Sequence, residues 1–252
     1  MPGSPALEAF RLVKDYRGHR AVADLSVSVA AGEVVALLGP NGAGKSTTLK
    51  MCAGVADPTY GWVRVADVPV ASNPVEARRL LGYVPDVGGL FPRLTGWEHL
   101  EFAARLHGLA ADWPTRARRL IDLLGLGDAA GRRASTYSHG MARKLSLAIA
   151  ALPNPRLLLL DEPFDGVDPA GAVAVRQIIA EAVDDGAGVL CSTHLLVAAE
   201  RISDRMVVIR AGAAIASGDA AALRMRAGEH GALEDVYLAL MAETGSPLGA
   251  AG

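Results

Sequence analysis

At 252 residues, 51% of them hydrophobic and 21% charged, the chain has apolar material for one large domain or two small subdomains. Its formal net charge of −2 offers no global basic field of the kind that draws nucleic acid. No apolar run approaches the roughly 18–20 residues that a bilayer span needs, and Met1-Pro2-Gly3-Ser4-Pro5 lacks the basic and apolar regions of a secretion signal. A role at a membrane therefore calls for another chain to supply the span. Cys52 and Cys191 lie in apolar contexts without metal-ligand spacing and read as reduced core residues.

Residues 8–16 and 22–29 alternate apolar and polar positions, Leu25, Val27 and Val29 against Asp24, Ser26 and Ser28, the period of half-exposed antiparallel strands. Tyr16 lies between them. It reads either as a partly buried strand-end ring or as an aromatic face open to an adenine ring. Val34-Val35-Ala36-Leu37-Leu38 is then a short apolar strand that runs into Gly39-Pro40-Asn41-Gly42-Ala43-Gly44-Lys45-Ser46-Thr47. The spacing fits G-x-x-x-x-G-K-[ST], the phosphate-binding loop. Its glycines let successive backbone N–H groups surround phosphate oxygens, and the helix opening near Lys45 adds its positive dipole end. In that motif Lys45 reaches the β- and γ-phosphates and the Ser46 hydroxyl ligates Mg²⁺.

The helix from Ser46 is expected to end near Gly54. Asp57–Gly61 reads as a turn, Trp62–Val65 as a strand, and Leu81–Pro85 as a short buried strand. From about residue 87 to 150 the pattern becomes helical. Thr95-Gly96-Trp97-Glu98 has capping-box spacing, for a helix running to about His107-Gly108. Pro114 suits a first helical position, with Leu120, Leu123 and Leu124 on the apolar side and Arg116, Arg118 and Arg119 on a solvated face. Ser138 is an N-cap for a third helix with Met141, Leu145, Ala148, Ile149 and Leu152 on one side. This block reads as an insertion into an α/β core, dividing the chain into a core of residues 1–86 and 151–252 and a helical subdomain of residues 87–150.

The core resumes with Leu157-Leu158-Leu159-Leu160-Asp161-Glu162-Pro163, a continuous apolar run ended by acids. Such a run suits a parallel strand buried on both faces, with its carboxylates at the carboxyl end where ligands bind in open α/β sheets. Residues 169–183 read as a helix and Val189–Ser192 as a buried strand followed by His194. Met206–Ile209 and Ala213–Ser217 read as closing strands, Leu233–Met241 as a last helix, and 242–252 as a frayed tail.

The order of these motifs resembles the nucleotide-binding subunit of ATP-binding cassette (ABC) transporters, over about residues 8 to 242. The resemblance implies a RecA-like P-loop NTPase core with a mostly parallel sheet, an antiparallel β subdomain near the N-terminus and an inserted α-helical subdomain. Tyr16 falls where the family places its adenine-stacking aromatic, and Asn41, Gly42, Ala43, Gly44, Lys45, Ser46 and Thr47 where it cradles phosphates. Tyr137-Ser138-His139-Gly140-Met141 stands at the signature sequence, commonly Leu-Ser-Gly-Gly-Gln. Ser138 and Gly140 are implied to meet the γ-phosphate held by a second subunit. Asp161 is implied to hold Mg²⁺ with Ser46, and Glu162 to polarise the attacking water as general base. Asp168 matches the aspartate that crosses the dimer interface, and His194 the switch histidine against the γ-phosphate. The plainer alternative for Glu162 is a strand-end acid paired with a lysine, and His194 as a lone histidine would read as a satisfied core residue.

Two positions depart from the family pattern. Asp86 stands where the family has a glutamine that touches Mg²⁺ or the lytic water, so altered coupling to a membrane partner is expected there rather than loss of ATP binding. His139-Gly140-Met141 replaces Gly-Gly-Gln, and Ser-x-Gly-Met resembles an exporter-like branch, as does Leu233–Leu238. The apolar loop Leu90–Trp97 reads as core packing of the insertion or as a groove for a short cytoplasmic helix of the partner. The reading implied is an ATPase subunit, a homodimer around two ATP, peripheral at the inner face of the cell membrane, powering separate integral membrane permease subunits without nucleic acid. A soluble ABC ATPase of ribosomes or DNA repair is the alternative. Those usually join two cassettes or add coiled-coil or zinc insertions, which this sequence lacks. A nucleotide-gated module with little turnover is a third, opposed by Asp161, Glu162 and His194.

Overall fold

The Val34–Leu38 pentapeptide alternates between two cores: Val34, Ala36 and Leu38 face one, Val35 and Leu37 the other. The Leu157–Leu160 run does the same, Leu158 and Leu160 against Leu157 and Leu159. A strand buried on both faces needs helices or a second layer on each side, and the chain supplies them.

The computed structural model describes residues 4–228 and 231–242. Its strands are β1 (Leu7–Tyr16), β2 (His19–Val29), β3 (Val34–Leu38), β4 (Tyr60–Val65), β5 (Val68–Pro69), β6 (Leu81–Val84), β7 (Leu157–Asp161), β8 (Gly188–Thr193), β9 (Arg205–Arg210) and β10 (Ala213–Gly218). The helices are α1 (Lys45–Cys52), α2 (Pro74–Arg79), α3 (Gly96–His107), α4 (Trp113–Leu123), α5 (His139–Ala151), α6 (Pro169–Asp184), α7 (Leu196–Ile202), α8 (Ala220–Ala227) and α9 (Leu233–Ala242). Hydrogen-bonded neighbours run β5-β4-β1-β2-β10-β9-β3-β8-β7-β6. The segment from β9 to β6 is parallel throughout, whereas β1, β2, β4 and β5 pair antiparallel. β10 joins the two parts, antiparallel to β9 on one side and parallel to β2 on the other through Ala213 and Asp24.

One core lies between the parallel strands and α3, α4, α5, α6 and α9, the other between them, α1 and the antiparallel strands. The helical insertion stands on local signals. Thr95 caps α3 in a reciprocal capping box with Glu98, and α4 opens with Pro114 in its first turn. Ser138 caps α5, its hydroxyl accepting from Met141 N at 3.2 Å.

Four elements were not expected: β5, α2, α7 and α8. Each is at most eight residues, too short to show an apolar period. The arginines of α4 are more than a solvated face. Arg119 pairs with Glu181 of α6 at 2.6 Å, Arg116 bonds Ala151 O and Asn154, and Arg118 lies over the Trp97 ring. Arg116 and Arg119 face the seam between insertion and core, whereas Arg118 finds its partner within the insertion, on α3. The expected frayed tail lies outside the described residues apart from Ala242, which closes α9.

Candidate active site

Gly44 is the N-cap of α1 at φ +104°, and a Cβ there would stand 2.5 Å from Ala21 O, so glycine is required for both reasons. The turn sends Lys45 inward until only 6% of it is exposed. A buried ammonium needs acceptors. Lys45 Nζ finds Gly39 O at 2.7 Å, Pro40 O at 3.3 Å and Glu162 Oε1 at 3.8 Å.

Asp161, the last residue of β7, is fully buried beside α1 and β8. Its Oδ1 accepts from Ser46 Oγ at 3.1 Å and from Ser192 Oγ at 2.5 Å. Its Oδ2 is buried with no hydrogen-bond partner. An orphaned carboxylate oxygen beside a serine hydroxyl is a donor set that fits a hard divalent cation. Among the described residues no group of three or more His, Cys, Asp or Glu could hold a metal, so a cation there would take further ligands from outside the chain.

Glu162 follows at φ +50°, in the left-handed region. Its N–H donates to Ser192 O at 3.2 Å and to Ser192 Oγ at 3.1 Å. Its Oε2 accepts from His194 N at 3.2 Å and lies 3.0 Å from His194 Nδ1. Lys45, Glu162 and His194 therefore form one chain of contacts above Asp161. Ser192, which sequence reasoning left without a role, joins both acids; its place two residues before His194 was the available signal. Burial, with the Glu162 and Asp161 carboxylates near it, pushes the Cys191 thiol up to about 12.

An open cleft of about 310 Å³ is lined by Tyr16, Asn41, Gly42, Gly44, Lys45, Ser46, Thr47, Asp86 and Glu162, joined by His19 and Ala21, which were not anticipated. Tyr16 is 45% exposed there, with Lys14 Nζ 5.2 Å from its ring centre. Ala43 is buried and does not line the cleft; its N–H donates to Pro40 O at 3.1 Å. A cleft of about 370 Å³ between α4 and α6 is larger, but Arg116 and Arg119 at its edge are already paired.

Ser138, Gly140 and Asp168 do not line the cleft around Lys45. They sit together on another edge, where α5 and α6 begin. A Cβ on Gly140 would collide with Gly166 O, and His139 Nε2 lies 3.3 Å from Asp165. Lys144 Nζ is 2.8 Å from Asp168 Oδ1, and that bond holds the Asp168 carboxyl below the usual carboxylate range. Asp86 borders the cleft, while its Oδ1 accepts from Arg143 Nη2 at 3.1 Å.

Comparison with known proteins places these features in a family. Residues 22–165 match the ABC transporter family. The chain is 42% identical over 226 residues to the daunorubicin/doxorubicin resistance ATP-binding protein DrrA of Streptomyces peucetius, covering 89% of this chain and 68% of that protein. It is 35% identical to the lipopolysaccharide export system ATP-binding protein LptB of Escherichia coli strain K12, covering 84% and 90%. A solved ATP-binding subunit of an ABC transporter superposes with a TM-score of 0.89 at 34% identity, covering 94% of this chain and 99% of that one.

Proposed function

Because this chain belongs to the ABC transporter family, as an ATP-binding subunit that hydrolyses ATP, we propose that the Gly39–Thr47 loop, Asp161, Glu162 and His194 carry out that hydrolysis. The observation that carries the reading is the Lys45–Glu162–His194 chain set over the orphaned Asp161 oxygen. Tyr16 offers its exposed ring to the adenine. The amides of Asn41 to Thr47 and the positive end of α1 receive the phosphates. Lys45 exchanges the Gly39 and Pro40 carbonyls for phosphate oxygens.

Ser46 and Asp161 would hold magnesium, with Asp86 at the same cleft, and the ion would supply positive charge to offset that of the phosphates. Glu162 takes the proton of the attacking water through its carboxylate, oriented by the His194 backbone N–H and ring. His194 is half exposed and so can turn toward the γ-phosphate.

Ser138, Gly140 and Asp168 serve a second copy of the chain: lying off their own cleft, they complete the partner's, so that two ATP are held in a homodimer. Residues 87–150 act as the moving subdomain on the core of residues 1–86 and 151–252. No helix among the described residues is long and apolar enough to cross a membrane. Separate permease subunits therefore supply the pathway, and the chain works from the cytoplasmic face. A groove of about 210 Å³ between β6 and α3, edged by the exposed Phe91, Phe102 and Leu106, suits a short helix of that permease. The relatives named for drug resistance and lipopolysaccharide export favour outward transport.

Glu162→Gln tests the base. Phosphate release should fall by about 10²–10⁴-fold while ATP affinity holds; an unchanged rate overturns the assignment. Pull-down from detergent-solubilised cells should recover a multi-span membrane protein in stoichiometric amounts. Ribosomal or repair proteins in its place would overturn the transporter role.

A further inference from the structure

Arg143 is 4% exposed, and a buried guanidinium has to be neutralised and fully hydrogen-bonded where it stands. Its Nη1 donates to Pro85 O and to Asp161 O, both at 2.8 Å. Its Nη2 donates to Asp86 O at 2.8 Å and to Asp86 Oδ1 at 3.1 Å. Pro85 and Asp86 follow β6 directly and Asp161 ends β7. One side chain of α5 thus fastens two adjacent strand ends to the helix that Ser138 caps, five residues and about 7.5 Å of helix rise away.

Two more basic side chains on α5 meet acids of the core, His139 with Asp165 and Lys144 with Asp168. Those acids are at least half exposed, where water screens the attraction and such pairs contribute little. Arg143 has no solvent to fall back on, and Asp86 is the one carboxylate with which it forms an ion pair among the described residues.

We propose that Arg143 and Asp86 are a positioning pair: Asp86 neutralises the buried guanidinium rather than ligating metal, and Arg143 sets the register of the Ser138–Gly140 turn against Asp161. This rests on the ATPase reading above. Asp161 Oδ2 and Ser46 Oγ already offer a cation its lone pairs, with no part for the Asp86 oxygen that Arg143 holds. The pair also accounts for an acid at position 86. A glutamine there offers Arg143 an amide oxygen but no charge, leaving the buried cation with dipoles alone.

The full-length chain carrying Asp86→Asn, Arg143→Gln or both tests this in three measurements. In denaturant unfolding without nucleotide or magnesium, the two changes should be non-additive, the double variant departing from independence by about tenfold in the unfolding constant. In magnesium titrations of a fluorescent ATP analogue, Asp86→Asn should leave the half-saturating magnesium concentration within about twofold. Asp161→Asn should raise it by about tenfold or more. In steady-state hydrolysis, both single variants should lower kcat more than they raise KM, with the double variant no worse than the worse single.

Additive unfolding effects would overturn the pair. So would a magnesium requirement that rises as much in Asp86→Asn as in Asp161→Asn, or kcat losses that multiply in the double variant. Should Arg143→Gln fail to fold, the magnesium titration of Asp86→Asn decides, since it needs no arginine variant. The unfolding cycle contains no nucleotide. Its failure therefore leaves the ATPase reading standing, whereas a coupled cycle in a wild-type chain without turnover sinks that reading and spares the pair.

Discussion

Ser192→Ala isolates the residue that joins the two acids of the site. The hydroxyl is fully buried, donates to Asp161 Oδ1 at 2.5 Å and accepts from Glu162 N–H at 3.1 Å. Without it, Ser46, at 3.1 Å, is the remaining hydroxyl on that carboxylate, whose other oxygen already lacks a partner. A hydrogen bond to a charged group contributes about 1.5–3 kcal/mol. At ~2.1 cal/mol/K per residue, unfolding 252 residues carries an entropy of about 0.5 kcal/mol/K. The variant should therefore melt about 3–6 °C below wild type when followed by circular dichroism in EDTA without nucleotide. Glu162 N–H keeps the Ser192 carbonyl at 3.2 Å but loses its second acceptor, so the carboxylate loosens and turnover should fall by about 10–100-fold. A melting temperature within about 1 °C of wild type, together with unchanged turnover, would show that the hydroxyl neither steadies Asp161 nor aims Glu162.

Gly44→Ala places a methyl 2.5 Å from Ala21 O on a residue at φ +104°; titration with a fluorescent ATP analogue should show binding lost while the helical insertion stays folded. Thr95→Ala removes the α3 cap and should cost about 1 kcal/mol in denaturant unfolding. The bonds from Thr95 hold the Glu98 carboxyl below its ordinary value. That contribution is present above the unfolded-state pKa and is lost as pH falls through the folded one. Its larger part comes from the Thr95 backbone N–H, which alanine keeps, so the stability gap between wild type and Thr95→Ala should narrow only in part at acid pH. Burial pushes the thiols of Cys52 and Cys191 up to about 12. At pH 8 both should resist alkylation until denaturant is added; rapid labelling of the native chain would contradict their burial.

Much of the fold was legible because its signals are local. Strand β7 announces itself by four consecutive leucines, α3 by Thr95 and Glu98, α5 by Ser138, and α1 by the glycines before it. Each is a short-range rule read within one turn or one strand. The elements that escaped, α2, α7, α8 and β5, are held by packing rather than by a pattern of their own, although Asp219 and Gly228 do bracket α8 as cap and left-handed stop. The arginines of α4 show the same limit: a polar stripe looks solvated until the chain brings Glu181 of α6 opposite it.

For the candidate site, the Gly39–Thr47 turn was legible because its motif is contiguous, whereas Ser192 and Arg143 reach Asp161 from 31 and 18 residues away. Glu162 is the instructive case. Its position after Asp161 was visible, but not its left-handed backbone. A non-glycine residue pays about 1–2 kcal/mol there. Two hydrogen bonds from its N–H to Ser192 oppose that strain. Continued extension would send successive side chains to opposite faces of the sheet. The left-handed turn breaks that alternation, and the Glu162 carboxylate comes to lie between Lys45 and His194. The strain therefore sits on the one bond that aims the acid, and the residue that holds it there is the same serine that steadies Asp161.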